Sequence, residues 1–432
     1  MTYPESVRFL YSLGNEVKTA KLDLDRIRTL LASLGNPQQR FRSIHVAGTN
    51  GKGSTCAMIE SGLRAAGIRT GLFTSPHLIE PTERIRVAGS AVTREEFAAA
   101  FGSVHEAAEN LMARDALDMH PTYFETVTAM AFLVFEEMGV ETAVIEVGLG
   151  GRLDATNVIA PELTVIAPVD FDHESFLGKS LGAIASEKAG ILKRGAPAVF
   201  SAQRPEVEAV LDERARAAAV EVTKSRAWKA QNVKLHARGS SFVAARLRAV
   251  GMENLLVPIE CPLAGEHQIE NALVSIIALY RLGVPVESIR NGIAAAKWPG
   301  RLERICEQPE IVLDGAHNPA GARALAAYIE RFYAGRGVCL IYGAMQDKAV
   351  AEMTAILFPL AAEVIVTRPN QSRAVAPETI AGMVDHPRVR VAPDLAGALG
   401  MARRIASNPA IFITGSLFLV GQARAALQSS LI

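Results

Sequence analysis

The chain has 432 residues, 49% of them hydrophobic and 21% charged; that length exceeds one compact core and points to two domains of an ordinary globular protein. Its 45 basic residues balance its 45 acidic ones, so no global charge argues for nucleic acid or a membrane surface as a partner. Four cysteines (Cys56, Cys261, Cys306, Cys339) stand far apart without a C-x-x-C spacing, which excludes a readable zinc knuckle or disulfide framework and suits a reducing compartment.

In chain order, the opening MTYPESVRFLYSLG carries Glu5 ahead of its first basic residue and lacks a long apolar run, which argues against a signal peptide. The most apolar later stretch, IFITGSLFLVG, is about half the length a membrane-spanning helix needs. A cytoplasmic protein without a membrane partner is the expectation.

RSIHVAG then predicts a strand and CAMIESGLRAAG a helix. Between them, GTNGKGST is a glycine-broken turn with Lys52 and two hydroxyls, the layout of a phosphate cradle at a helix N-terminus. The match to G-x-x-x-x-G-K-[ST] is imperfect: Val46 stands where the first glycine belongs, and Gly53 follows the lysine, moving the hydroxyl to Ser54. On this loop alone, a glycine turn bearing an ordinary surface lysine stays open.

RTGLFT, helices near 94–112 and 122–138, the strands TAVIEVG and LTVIAPV, and a helix near 180–192 continue an alternation typical of parallel strands with crossover helices. Glu146 lies inside an apolar strand just before the turn Gly148-Leu149-Gly150-Gly151. A carboxylate is costly to bury there without a cation or donors, which favours a ligand role. Asp154 and Asn157 follow on the same turn, and Asp172 and His173 end the next apolar strand. Glu187 and Lys188 read only as an unremarkable helix end.

From about 221 to 260 the alternating texture predicts a small antiparallel insertion. It carries Lys224, Arg226, Lys229, Lys234, Arg238, Arg246 and Arg248 with no acid between Glu221 and Glu253. A solvated hairpin is the plain reading; an electrostatic guide for an anionic substrate is the sharper one. After Pro299-Gly300 a second series of five strands with intervening helices predicts a doubly wound, Rossmann-like domain. We therefore expect an α/β protein: residues 1–297 as a P-loop domain with a mainly parallel sheet, the insertion at about 221–260, and residues 298–432 as the second domain. Asp314 and His317 in LDGAHNPAG, Asp347 and Lys348, and Ser416 all end strands of that second domain. Polar groups of two domains meeting across a cleft suit a magnesium- and ATP-dependent transferase or ligase joining two substrates.

Taken together, HVAGTNGKGS, FTSPHL, PTYFE, EVGLGGRLDATN, the Asp172-His173 pair with Gly178, EKAGI, GEHQ with Asn271-Ala272, PGRLE, LDGAHNP, Asp347-Lys348 and TGSLFLVG closely resemble the folylpolyglutamate synthase and dihydrofolate synthase family, in order and over almost the whole chain. The shifted hydroxyl of the TNGK loop is also similar to that of the related muramyl ligases, while TSPHL and GLGGRLDATN favour the folate branch.

The resemblance implies ATP-dependent addition of L-glutamate to dihydropteroate, to the γ-carboxyl of reduced folates, or to both, through an acyl phosphate. It implies that Lys52 and the amides of residues 50–54 hold phosphates, with Thr49, Asn50, Gly51, Gly53 and Ser54 forming the loop. Ser54 and Glu146 would hold one Mg²⁺, and His173, Glu146 and a carbamylated Lys188 a second. It places Asn271, Arg301 and Asp314 around the nucleotide and His317 and Ser416 near the amino acid, His317 with a catalytic part. Ser75, Pro76, His77, Tyr123, Phe124 and Asp154 would border the substrates. A monomer is expected. A muramyl-type ligase and, from another class, an ATP-dependent nucleic-acid-binding protein using the basic insertion are the alternatives; the neutral total charge and the scarcity of aromatics there, only Trp228 and Phe242, count against the latter.

Overall fold

In the computed structural model, which describes residues 1–13, 23–246, 255–405 and 409–429, contacts group the chain into two compact units. The first comprises Met1–Gln231, Val243–Ile259 and Glu270–Ala296, the second Asn232–Phe242, Glu260–Ile269 and Lys297–Ile432. Arg248 of the basic insertion lies outside the described residues.

The chain begins with α1 (Tyr3–Ser12), α2 (Asp25–Ser33), β1 (Arg42–Ala47), α3 (Lys52–Ala65), β2 (Thr70–Phe73), β3 (Ile85–Val87), β4 (Ser90–Ala91), α4 (Arg94–Met112) and α5 (Tyr123–Glu137). It continues through β5 (Thr142–Glu146), β6 (Leu163–Ile166), α6 (Glu174–Leu177), α7 (Leu181–Lys188), β7 (Ala198–Phe200), α8 (Pro205–Ala217) and β8 (Val222–Lys224). These strands form one sheet in the order β4-β3-β2-β5-β1-β6-β7-β8, parallel from β2 to β8 and antiparallel at the β3–β4 edge. From Ser43 to Ala47 β1 is buried throughout, as an apolar strand covered on both faces must be. The chain leaves β1 toward β2 on one side and leaves β6 toward β7 on the other, so the loops after β1 and β6 flank a topological switch point, where open α/β sheets bind ligands.

The insertion is shorter than expected. Val222 pairs in parallel with Ala198, so residues 222–224 extend the main sheet, and the separate three-stranded sheet contains only β9 (Trp228–His236), β10 (Gly239–Arg246) and β11 (Leu255–Cys261), in the order β11-β10-β9. The charged texture of 221–229 hid a β-branched edge strand. Next come α9 (His267–Arg281) and α10 (Val286–Ala295). Helices α3 and α10 approach so closely that a Cβ on Gly292 would lie 2.3 Å from Gly62 Cα, and Ser61 Oγ donates to Gly292 O at 2.7 Å. That contact seats the helix behind the phosphate loop.

The second unit holds β12 (Glu303–Glu307), β13 (Glu310–Leu313), α11 (Pro319–Tyr333), β14 (Val338–Tyr342), α12 (Val350–Leu357), β15 (Glu363–Val366), α13 (Pro377–Gly382), β16 (Val389–Val391), α14 (Leu395–Arg403), β17 (Ala410–Thr414) and α15 (Leu417–Ser429). Its sheet runs β12-β13-β17-β14-β15-β16, parallel except for β12. The five expected strands are joined by β12, an antiparallel edge whose polar ERICE pattern carries little strand signal. Asp314, His317 and Ser416 follow the adjacent strands β13 and β17 at their C-terminal ends. Among the described residues no helix is long and apolar enough to cross a membrane.

Candidate functional site

The phosphate-type loop links β1 to α3, with Gly51 at φ +79° immediately before the helix. A side chain at Gly51 would be strained there and would also meet Asn271 Oδ1 at 2.3 Å, so buried Asn271 stands directly against the loop. Lys52 Nζ donates to Gly48 O (3.1 Å) and Thr49 O (3.2 Å), and Lys188 Nζ donates to the same Gly48 O (2.8 Å). Two amines therefore converge on one carbonyl. Burial, and after it the charge of Lys52, push buried Lys188 down to about 7.

The first residues of the loop have partners within the protein. The Thr49 and Asn50 amides donate to Pro168 O (2.8 and 3.2 Å), and the Thr49 hydroxyl donates to Asp170 O (2.9 Å), so both residues pin the loop to the segment after β6. The amides at the start of α3, from Lys52 to Ser54, are the ones that helix geometry leaves without intrahelical acceptors.

Glu146 ends β5, beside β1, and is buried; its Oε2 accepts the Ser75 amide at 3.0 Å, tying TSPHL to this strand end. Glu146 and Lys52 both act on the thiol of buried Cys56, which places the carboxylate and the loop lysine around one point of α3. Asp172 and Asp154 are electrostatic neighbours of Lys188. His173, at φ +52°, precedes α6, with Nε2 3.9 Å from Asp172 Oδ1. The buried carboxylate of Asp154 accepts Leu149 N (2.8 Å), Thr156 N (3.0 Å) and the Thr156 hydroxyl, so it holds the glycine turn in shape.

TSPHL contains a cis Ser75-Pro76 bond and leads to an aromatic and cationic cluster. Arg84 Nε donates to His77 Nδ1 (2.9 Å), Tyr11 Oη lies 3.3 Å from His77 Nε2, the Arg84 guanidinium sits 5.1 Å from the Tyr123 ring centroid, and Tyr11 stacks on Tyr123 with centroids 5.8 Å apart. Burial and Arg84 drive His77 down to about 3, so it is neutral and accepts from Arg84. Phe124 packs under the glycine turn, where a Cβ on Gly148 would meet its Cζ at 2.5 Å. Phe124 is thus a wall of the turn, whereas Tyr123 belongs to the cluster.

In the second unit, buried Asp314 accepts the amides of Leu302 (3.0 Å) and Ala316 (3.0 Å). It shapes the turn bearing Arg301. Burial raises the Asp314 carboxyl, with Arg301 and these two amides opposing. His317 Nδ1 donates to Gly315 O (2.8 Å), and buried Ser416 Oγ accepts Phe418 N (3.2 Å). His267, exposed at the first position of α9 and beside Arg301, joins this group.

Family models match both halves: the Mur ligase middle domain over residues 46–279 and the Mur ligase glutamate ligase domain over residues 300–417. The chain is 36% identical to a folylpolyglutamate synthase of Lacticaseibacillus casei, covering 99% of each chain. It is 35% identical to a dihydrofolate synthase/folylpolyglutamate synthase of Bacillus subtilis, covering 94% of this chain and 95% of that one. The chain belongs to the folylpolyglutamate synthase/dihydrofolate synthase family. A Mycobacterium tuberculosis folylpolyglutamate synthase solved with ADP and AMPPCP superposes with a TM-score of 0.90 at 33% identity, over 98% of this chain and 99% of that one. Membership carries the ATP-dependent ligase class and favours the folate branch over the muramyl alternative.

Within this family member, sequence reasoning missed Tyr11, Arg84 and His267 as site neighbours. His267 lay inside the quoted GEHQ motif, so a signal existed; Tyr11 and Arg84 reach His77 only through tertiary contacts. Part of the basic segment is paired with acids: Lys224 with Glu208 (2.5 Å) and Asp212 (2.6 Å), Arg226 with Glu208 (2.7 Å) and Arg238 with Glu307 (2.5 Å). This pairing supports the solvated-hairpin reading and weakens both the substrate-guide and the nucleic-acid readings.

Proposed function

We propose that this ligase is bifunctional, adding L-glutamate to dihydropteroate and to the γ-carboxyl of reduced folates. The observation that carries the phosphoryl-transfer chemistry is the meeting of Lys52 and Lys188 at Gly48, with Glu146 at the next strand end; the two acceptors rest on the Bacillus subtilis relative, which is named as both synthases. A site rich in amines beside a buried carboxylate suits a polyphosphate with its counterions. The acceptor carboxylate attacks the γ-phosphorus of ATP, the Pγ–O bond to ADP breaks, and the glutamate nitrogen then displaces phosphate from the acyl phosphate, losing its proton. Lys52 would exchange its two carbonyl partners for phosphate oxygens, the first amides of α3 would hold the same anion, and Asn271 would press on the loop. Tyr123, His77 and Ser75 would border the pterin-bearing substrate; Arg301, positioned by Asp314, would serve the nucleotide, and His317 and Ser416 the amino acid.

The donor set fits Mg²⁺: Ser54 supplies a hydroxyl, Glu146 a carboxylate and His173 an imidazole. Lys188 fits only after modification, since an ammonium has no lone pair; its burial beside Lys52 favours the neutral amine that reacts with carbon dioxide, giving a carbamate carboxylate. When bound, the ions would offset charge on the phosphate oxygens. We further read residues 1–297 as the nucleotide domain and 298–432 as the glutamate domain of a cytoplasmic monomer without a nucleic-acid partner.

The test is ADP release with Mg²⁺, ATP and L-glutamate, run with dihydropteroate, with tetrahydrofolate and without acceptor. Turnover with both acceptors is expected; turnover with one would reduce the assignment to a single activity, and silence with both in an ATP-binding sample would overturn it.

A further inference from the structure

A second group of metal-ligating side chains lies apart from the phosphate loop, and nothing in the ligase reaction uses it. His105 and Glu109, one helical turn apart on α4, share a face with each other and with His120, the residue before Pro121 at the approach to α5. One ligand atom from each of the three lies within 4.8 Å of the other two. His105 Nδ1 and His120 Nε2 are 3.3 Å apart, and Glu109 Oε1 is 3.9 Å from His105 Nδ1. Zn–N bonds of about 2.0–2.1 Å in a tetrahedron separate two nitrogens by about 3.3–3.4 Å, so the imidazoles already stand at an edge of that polyhedron. Glu109 is exposed and needs only a small side-chain swing to supply the third ligand.

The surroundings orient the ligands. His120 Nδ1 lies 2.8 Å from Pro121 O, and a carbonyl can only accept; Nδ1 therefore carries the proton, and the lone pair of the neutral ring is on Nε2, facing His105. This is the partner arrangement that fixes a metal-binding histidine. Phe101 stacks on His105 (centroids 5.4 Å apart, 9° between planes), and Phe9 packs edge-on against His105 (4.6 Å) and His120 (5.2 Å). Aromatic rings thus wall one side, while Glu109 opens the other to solvent.

We propose that His105, Glu109 and His120 form a site for a borderline transition-metal ion of the Zn²⁺ type, completed by water. The ion clips the last turns of α4 to the residues just before α5. Two imidazoles and one carboxylate select Zn²⁺ and its transition-metal neighbours over Mg²⁺, which prefers oxygen. The site is independent of the ligase assignment and stands or falls without it.

The experiment uses the full-length, metal-free chain in excess Mg²⁺, titrated with Co²⁺ as a spectroscopic stand-in and then with Zn²⁺ alone. The wild type is expected to develop a visible cobalt band that Zn²⁺ displaces, and to melt at higher temperature with Zn²⁺ than after chelation. His105→Gln with His120→Asn should lose the band and the melting shift. Glu109→Gln, a change at an exposed position that leaves the aromatic packing intact, should weaken binding by roughly tenfold or more. Absence of a band in the wild type, or the same band and affinity in Glu109→Gln and in the double variant, would overturn the proposal.

Discussion

The two units use strand ends in opposite ways. In the first, the edge formed by β2, β5, β1 and β6 gathers amines: Lys52 and Lys188 share the Gly48 carbonyl, and the fold leaves Lys188 poorly solvated. In the second, Asp314 stands at an equivalent strand end, yet both its oxygens are taken up by the Leu302 and Ala316 amides. The first edge brings two amines to one carbonyl, whereas the second uses its buried carboxylate to hold a loop. Titratable residues at the C-terminal ends of parallel strands therefore do not share one meaning; their hydrogen-bond partners separate ligand-facing groups from loop-holding ones.

The sharpest way to break that contrast is at Lys52. Lys52→Ala should lower kcat on the order of 10³-fold with little change in melting temperature, because it removes a group held only by two carbonyls. A large loss of stability with modest loss of rate would reverse the roles assigned to the two edges. Lys188→Ala should lower turnover on the order of 10²-fold. Lys188→Arg should be no better, since arginine keeps a cation but forms no carbamate; an active Arg variant would remove the modified lysine from the scheme.

Acidification tests the first unit through two histidines. His45 and His77 are held down to about 3, in each case mainly by burial. Their folded values lie below the unfolded value near 6.5, so the stability they contribute is full above about pH 6.5 and is lost as pH falls toward those values. Each should cost on the order of 2 kcal/mol between pH 6.5 and 5. Melting curves of His45→Asn should show a shallower decline than the wild type; an unchanged slope would place the acid sensitivity elsewhere. At Asp314, replacement by Ala should cost about 1–3 kcal/mol, by orphaning two buried amides, and should weaken nucleotide use through Arg301. If Asp314→Ala melted like the wild type but lost all turnover, the carboxylate would be acting directly on substrate.

Much of the architecture was legible because the signals were local. Phe97, Phe101 and Val104 on α4 and the continuous run from Ile44 to Ala47 carry their periodicity in the chain itself, and the loop at 48–54 declares its glycines and lysine. Three features resisted. The strands β8 and β12 are short, polar edges whose pairing depends on a neighbour rather than on an alternating pattern. Asp154 read only as a polar group on the glycine turn, and the fold shows its carboxylate accepting amides of that same turn. Lys188 ended an ordinary helix until the fold placed its amine beside Gly48, far away in the chain.

By itself the sequence determined the α/β class, the phosphate-type loop, the order of the family motifs and the family, since each is written in residues close together or in fixed succession. Only the tertiary structure decided that Asp154 and Asp314 hold turns, that Lys188 meets Lys52, that part of the basic segment is paired with acids, and that two histidines and a glutamate converge near α5. Desolvation, charge coupling and coordination depend on distances between residues remote in the chain, and those distances exist only after folding.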